Sequence, residues 1–464
     1  MRKTRKNNAL LSHLSPPYIS ALFLSAFLCS CQFQTYQAKP ISAQKVHDAF
    51  VQRAISDPKF HDFLIAQGYV ASELPLKSWD LKALTLCAHY FHPSLNVARA
   101  QWKAAQLAEK SASEKPLPTI NSNFSRSNQA NQDINPFAYQ FSIDIPIETQ
   151  SKRQIQIEGF SHLSEIAKLE IAQTAWQLRQ QIANTLNEMR WHEVQQTLLT
   201  NKIAHYQSIE AMLDKRKQHG LASSLELSQA KLQLQASQMA LENLKIQKIT
   251  LQSQLADYIG LPLDVVKSLN LNLTATDKQP ITDAKNIQKT ALLNRLDARI
   301  ALEQYQVAEN KLKLEIAKQY PDITISPGLA YEFGDTVWSL GFSGLMNLLK
   351  KNKVAIAEAA QVREVEVARF EALQANIIGE VNLANAQLAE IDQLHQQKKQ
   401  QLASLLQTFS RTKAQFDAGE IDRLALTYAK LTLANSEKDI AQTQYQLEKA
   451  KIQLENTLQT PLYE

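Results

Sequence analysis

Proline is missing over most of this chain: none falls between Pro146 and Pro262, or between Pro327 and Pro461. Proline costs most in a helix interior, so stretches of this length without it can run as uninterrupted helix. Glycine is scarce as well, at 10 in 464 residues, and methionine at 5. Inside the first proline-free window glycine stands only at Gly159, Gly220 and Gly260. With Ala, Gln and Leu dominant, this is the composition of long helices and not of a core built on glycine-rich loops. Cysteine occurs three times, as Cys29, Cys31 and Cys87. With the first two at the end of an N-terminal leader, a disulfide framework is excluded. There is no GxSxG, HExxH, CxxC or phosphate-loop pattern and no acid pair in a recognisable setting, so nothing argues for an enzyme. The formal charge is +5, but Arg2, Lys3, Arg5 and Lys6 belong to the leader, and without them +1 remains (5 − 4). That balance gives no bulk electrostatic case for nucleic acid.

What is present begins with the leader. A basic start is followed by an apolar run from Tyr18 to Leu28 and then by Leu28-Cys29-Ser30-Cys31. Such a run describes an export signal over 1–30 and is too short to span a bilayer as a mature helix. The Leu-x-Ser-Cys ending resembles a bacterial lipobox, with cleavage between Ser30 and Cys31 and lipid (palmitate among its chains) on Cys31. The alternative is an ordinary signal peptide with an incidental cysteine. By the same resemblance Gln32, rather than Asp, fits outer-membrane sorting. Cys87, His89 and His92 could be read as metal ligands. Cys87 also continues an apolar helical stripe with Leu81, Leu84 and Leu86, and the histidines close that helix before Pro93; this reading is preferred, and no metal or other cofactor is expected.

Beyond a weakly patterned lead-in (31–80), one structural sentence is written twice, over 81–285 and 286–464. Pro93 corresponds to Leu296, Pro118 to Pro321, Arg153 to Lys353 and Gly220 to Gly419, at offsets of 199 to 203 residues. Internal repeats fix an architecture before any local reading does. Each copy holds a short helix, two strands and two very long helices.

The strands are expected over 119–127 and 138–149, then 322–333 and 336–346. Tyr139, Phe141, Ile143, Ile145 and Ile147 alternate with polar residues, as do Ile323, Ile325, Leu329, Tyr331 and Phe333, and then Trp338, Leu340 and Phe342. Membrane barrels alternate in this way, apolar outward and polar inward. Four strands cannot close a barrel, and lipid tolerates no open sheet edge, so closure needs several copies of the chain. The long helices are expected over 151–218 and 223–258, and over 351–417 and 422–458. Leu426, Leu433, Ile440, Leu447 and Leu454 recur every seven residues beside the small Ala429, Ser436, Thr443 and Ala450, which is a coiled-coil seam. Leu227, Leu234, Leu241 and Leu255 repeat it 199 residues earlier, broken by Lys248. The opposite faces, rich in Gln, Lys and Glu, read as solvated surface.

HPSLNVARAQ from His92, FSIDIPIETQSKR from Phe141, YPDITISPGLAYEFGDTVWSLGFS from Tyr320, NKVAIAEAAQ from Asn352 and ARFEALQANIIGEV from Ala368 resemble the TolC family of outer-membrane efflux ducts over roughly 85 to 460. Within it they are nearest the cobalt-zinc-cadmium (CzcC-like) branch. The resemblance implies a mainly α fold with a small β part. Long antiparallel coiled-coil helices would form a periplasmic α-barrel, and each protomer of a homotrimer would give four strands to one outer-membrane β-barrel. It implies passive export across the outer membrane of a Gram-negative bacterium, with heavy-metal cations as the cargo suggested by the branch. The implied partners are a periplasmic adaptor (membrane fusion) protein, an inner-membrane RND-type pump and outer-membrane lipid. Two departures, Met346 where relatives carry proline and Lys353-Val354 where a glycine follows Asn-x, bear on the second strand-to-helix turn.

Gly220 and Gly419 reverse the long helices, and Ser223 or Asp422 can cap the returning helix. A plain helix hairpin accounts for all of this. By resemblance, the hairpins are a periplasmic mouth where the adaptor docks, at Gly220, Leu221, Ser223, Leu225, Gly419, Ile421 and Leu424. A gate there would lean on Glu226, Asp422 and Arg423. The competing reading is a lipid-anchored periplasmic coiled-coil scaffold without a pore, for which paired aromatic hairpins would have no use.

Overall fold

The computed structural model describes residues 34–128, 135–273, 284–332, 334–344 and 351–462. The leader, Ser30, Cys31, Phe333 and Met346 lie outside these. The chain divides into two units, Met1–Gln52 and Arg53–Glu464. The first holds one described helix, α1 (Ala43–Val51), opened by Ser42, whose side chain accepts the Lys45 N–H.

The second unit starts with α2 (Pro58–Ala66), α3 (Leu81–Phe91) and α4 (Pro93–Ala112). Strands β1 (Thr119–Arg126) and β2 (Phe137–Ile147) follow, then the two long helices α5 (Lys152–Gln218) and α6 (Ser224–Ile259). After the short α7 (Leu263–Lys267) and α8 (Ala284–Asn294), the pattern recurs: α9 (Leu296–Ala317), β3 (Ile323–Glu332), β4 (Asp335–Ser343), α10 (Lys353–Asp417) and α11 (Arg423–Leu458). At 67 and 65 residues, α5 and α10 are each about 100 Å long at 1.5 Å per residue. Both end within two residues of the boundaries expected from proline and glycine.

The repeat is visible in the packing. Leu178, Ile182, Leu255 and Ile259 are buried in one cluster, and Ile377, Val381, Leu454 and Leu458, each 199 residues later, are buried in another. The first cluster is larger, because the segment 53–80 completes it. Phe60 and Leu64 of α2 are fully buried there with Trp79, Leu84, Cys87 and Phe91. Phe60 lies 5.0 Å from Phe91 and 6.5 Å from Trp79 between ring centroids, within aromatic contact range. Trp79 exchanges main-chain hydrogen bonds with Asn270 and Asn272. Residues 53–80 of the lead-in are therefore part of the first repeat's core. Cys87 sits among these apolar groups, and burial pushes its thiol well above the ordinary range. His92 caps α4 by accepting the Ser94 N–H.

Gly260 closes α6 in a left-handed conformation (φ +72°), where a Cβ would meet the Phe91 carbonyl and the His92 Cα at 2.9 Å. Only glycine permits both that backbone and that approach. Arg53 locks the place, donating to the carbonyls of Phe91 (3.0 Å) and Gly260 (2.8 Å).

The two repeats are joined along α5 and α11. There Arg179 and Glu455 form a buried ion pair at 2.7 Å, Trp176 donates to Asn456 at 3.1 Å, and Trp191 stacks on Tyr445 at 5.7 Å. Of the expected seam, Leu426, Ser436, Thr443, Leu447, Ala450 and Leu454 are buried on α11 and Leu227 and Leu255 on α6, while Ala429, Leu433, Ile440, Leu234 and Leu241 are half-buried.

Candidate channel wall and helical tips

All four strands form one antiparallel sheet in the order β1-β2-β3-β4. The two hairpins join through β2 and β3, with Tyr139 opposite Tyr331, Phe141 opposite Leu329 and Ile145 opposite Ile325. The register assigns every residue a face, since side chains alternate along a strand. Ile120 and Phe124 pair with Ile143 and Tyr139, while Ile325 and Leu329 pair with Phe342 and Trp338. One face therefore carries Ile120, Phe124, Tyr139, Phe141, Leu329, Trp338 and Phe342. The other carries Asn121, Asn123, Gln140, Ser142, Asp144, Ser326, Ser339 and Gly341. Among the described residues the apolar face has no cover: Trp338 is 80% exposed, and Ile120, Phe124, Leu340 and Phe342 are 60% or more. On the polar face Asn121 donates to Asp144 at 2.7 Å. Strands β1 and β4 are both exposed along their whole length and are the sheet's edges.

Sheet passes into helix at two related turns. In the first, Gln150 and Ser151 are left-handed (φ +55° and +54°), and Lys152 is nearly buried. Its ammonium donates to the Tyr320 carbonyl (2.5 Å) and to Asp322 (2.8 Å), which also accepts the Thr149 N–H (2.9 Å). Burial pushes the Asp322 carboxyl up, but Lys152 and the Thr149 N–H outweigh it and hold the group below the usual range. In the second, Asn352 is left-handed (φ +43°), and its amide donates to the Glu315 carbonyl and side chain at 3.0 and 2.9 Å. Asparagine takes over there the conformation that glycine would adopt without strain.

At the far end of α5, Gly220 (φ +69°) ends the helix, with the Leu221 N–H returning to the Arg216 carbonyl at 2.8 Å. Ser223 then caps α6 in a reciprocal box with Glu226: the Glu226 N–H reaches Ser223 Oγ at 3.1 Å and the Ser223 N–H reaches Glu226 Oε2 at 2.8 Å. That main-chain bond, before the Ser223 hydroxyl, lowers the Glu226 pKa. Gly419 (φ +78°) does the same for α10, and Asp422 caps α11 by accepting the Ala425 N–H at 2.8 Å. Leu221 and Leu225 are 76% and 67% exposed; Ile421 is half-buried. Leu424 packs with Ala222 against a small cluster of Ile209, Leu213, Leu227, Ala230 and Leu431 that ties the first tip to α11.

Of the residues considered for a gate, Asp422 is ion-paired with Arg216 of the first tip, whose charge also acts on Glu226, itself engaged in its cap. Arg423 is exposed. Arg216 lies within a basic run, Lys215-Arg216-Lys217, that says nothing of which lysine or arginine turns toward a partner 206 residues away.

A second apolar stripe runs beside the seam, and its exposure was not legible in the sequence. On α6, Leu225, Leu232, Met239 and Ile246 recur every seven residues and are 60–67% exposed. Their counterparts on α11 are Leu424, Leu431, Lys438 and Tyr445, of which Leu424 and Leu431 join the tip cluster and Tyr445 stacks on α5. At Leu424, Leu431 and Tyr445 the stripe is thus covered in one copy of the repeat, Lys438 being exposed, and it is bare in the other. Helix α10, the counterpart of α5, exposes Leu383, Leu394 and Leu406.

Among the described residues no helix is long and apolar enough to cross a membrane. None of the curated proteins matches the sequence. Among solved structures, VceC, an outer membrane protein from Vibrio cholerae, matches with a TM-score of 0.67 at 17% identity, over 82% of this chain and 96% of that one. CusC matches with 0.65 at 16%, over 93% and 100%, and the Campylobacter jejuni outer membrane channel CmeC with 0.64 at 13%, over 92% and 93%. These likenesses establish the fold, that of the TolC-like channels. Residues 90–261, from the end of α3 to the residue after Gly260, match the family model described as outer membrane efflux protein.

Proposed function

We propose that the chain is one of three identical segments of an outer-membrane duct, through which an efflux system passes its substrate without a power stroke of the duct's own. One observation carries the reading: a four-stranded sheet with one apolar face, one polar face and two free edges. A lipid-facing sheet must have its edges paired, so β1 of one copy would meet β4 of the next. The helices support the same closure. The stripe on α11 is covered by α5 within the chain, so the bare stripe on α6 asks for the counterpart of α5, which is α10, from another copy. Each interface would then repeat the internal one, and three copies carry six repeats around the ring.

The helical tips, with exposed Leu221 and Leu225, are the surface offered to a periplasmic adaptor, which would link the duct to an inner-membrane pump of the RND type. Lipid on Cys31 would hold the N-terminus to the inner leaflet of the outer membrane. Heavy-metal cations as cargo rest on resemblance to the cobalt-zinc-cadmium branch. A deletion strain tested against zinc, cobalt and cadmium beside dyes and antibiotics separates that cargo from organic compounds.

The purified chain, reconstituted into planar bilayers, should give discrete ion conductance from a trimer that dissociates only on heating in detergent. A soluble, elongated dimer without conductance would favour the alternative, a lipid-anchored scaffold without a pore.

A further inference from the structure

We infer that the helical wall carries a binding site for small amphipathic anions, in the groove where α5, α6 and α11 meet. The inference does not depend on the chain forming a pore. The groove encloses about 300 Å³, with Leu198, Leu199 and Leu244 as its apolar lining and Lys202 and Lys438 beside them. That is the lower end of the range for ligand pockets, about 300–1,000 Å³, and suits a short aliphatic chain.

The charge is the informative part. Neither lysine forms an ion pair among the described residues. Lys202 leans instead on the Tyr206 ring, 5.7 Å from its centroid. Burial, and then the nearby Lys438, pushes the Lys202 ammonium below its ordinary value. The arrangement continues past Ala434 into a second cavity of about 340 Å³ between α5 and α11, where His205 and Lys430 face the lone carboxylate of Glu437. His205 is lowered by burial and then by Lys430. Four basic groups thus share one interhelical groove with one acid. Two ammonium groups held close together over an apolar surface repel each other, and a bound carboxylate, sulfonate or phosphate would neutralise them. The leucines would hold its aliphatic part, which selects an amphipathic anion over a simple one. A cation of the same shape would meet the same leucines and be repelled.

Titration calorimetry on the full chain in an uncharged maltoside detergent tests this with sodium octanoate, octylammonium chloride and sodium acetate. Octanoate should bind saturably, acetate at least tenfold more weakly, and octylammonium not saturably. The double substitution K202Q/K438Q should weaken octanoate at least tenfold. Ala240→Trp, at an exposed position lining the groove, fills it without altering a charge and should abolish binding. Lys245→Gln, at an exposed position of α6 paired with Glu242 and outside the groove lining, should leave it unchanged. The proposal is overturned if octanoate shows no saturable binding, if acetate or octylammonium binds as tightly, or if Ala240→Trp leaves the affinity intact.

Discussion

Asp422 serves two structures at once, the start of α11 and the ion pair with Arg216 that joins the two tips. Substitutions separate the roles. Asparagine caps a helix about as well as aspartate, so Asp422→Asn keeps the cap and loses the pair, while Asp422→Ala loses both at about 0.5–2 kcal/mol. If the pair restrains the mouth, Asp422→Asn and Arg216→Gln should each raise single-channel conductance in planar bilayers, and the double variant should add little to either. Arg423→Gln should change nothing. Unchanged conductance in all of them would remove the pair from any gate. The Ala425 N–H, followed by Arg216, holds the Asp422 carboxyl below its ordinary value. A depressed carboxylate contributes fully above the unfolded value near 4 and is lost only as pH falls through the folded one, so mild acid should leave the tips as they are. The cap at Asp422 was readable because it follows a helix-ending glycine; its partner was not, because a run of basic residues does not reveal which member turns inward.

Elements were legible where a local rule fixed them. Prolines and glycines bounded the four long helices, and strict alternation gave β2 and β4. What stayed hidden was long-range. Phe60, Trp79 and Phe91 meet from three segments with no shared period, so residues 53–80 looked unpatterned although they complete a core. The joining of the hairpins through β2 and β3 was equally invisible, because nothing in either strand names its partner. The sheet's two faces lead to a prediction. Leu340 lies mid-strand on the apolar face, and Ser339 beside it lies on the polar one. Leu340→Arg should cost about 2–4 kcal/mol in a bilayer, and Ser339→Arg much less. Urea titration of the protein folded into lipid vesicles, read by its heat-modifiable mobility, measures the difference; equal losses would mean that the face assignment is wrong.

For the whole molecule, the uneven treatment of one stripe is decisive. Leu424 and Leu431 are covered within the chain, whereas Leu232 and Met239 are bare, as if each copy were cut from a ring at that line. In the proposed trimer, glutamates at Leu232 and Met239 would sit within the contact between copies, where an unpaired buried charge is heavily penalised. Leu232→Glu with Met239→Glu should therefore leave helical content intact by circular dichroism while light scattering reports monomer and conductance disappears. A trimer that survived the pair of substitutions would place the interface elsewhere.

The partnership of β2 with β3 also has a bearing on how the protein is made. All of α5 through α9 is translated between these strands, so the first hairpin must wait, greasy on one side, until the second half of the polypeptide arrives. An isolated two-stranded hairpin is marginal in water, and contacts so distant along the chain form late. The coiled rods can therefore mature first and act as the jig on which the membrane part is finished. Until β3 is made, β2 presents an unpaired edge, a ribbon fit for proteolysis rather than insertion.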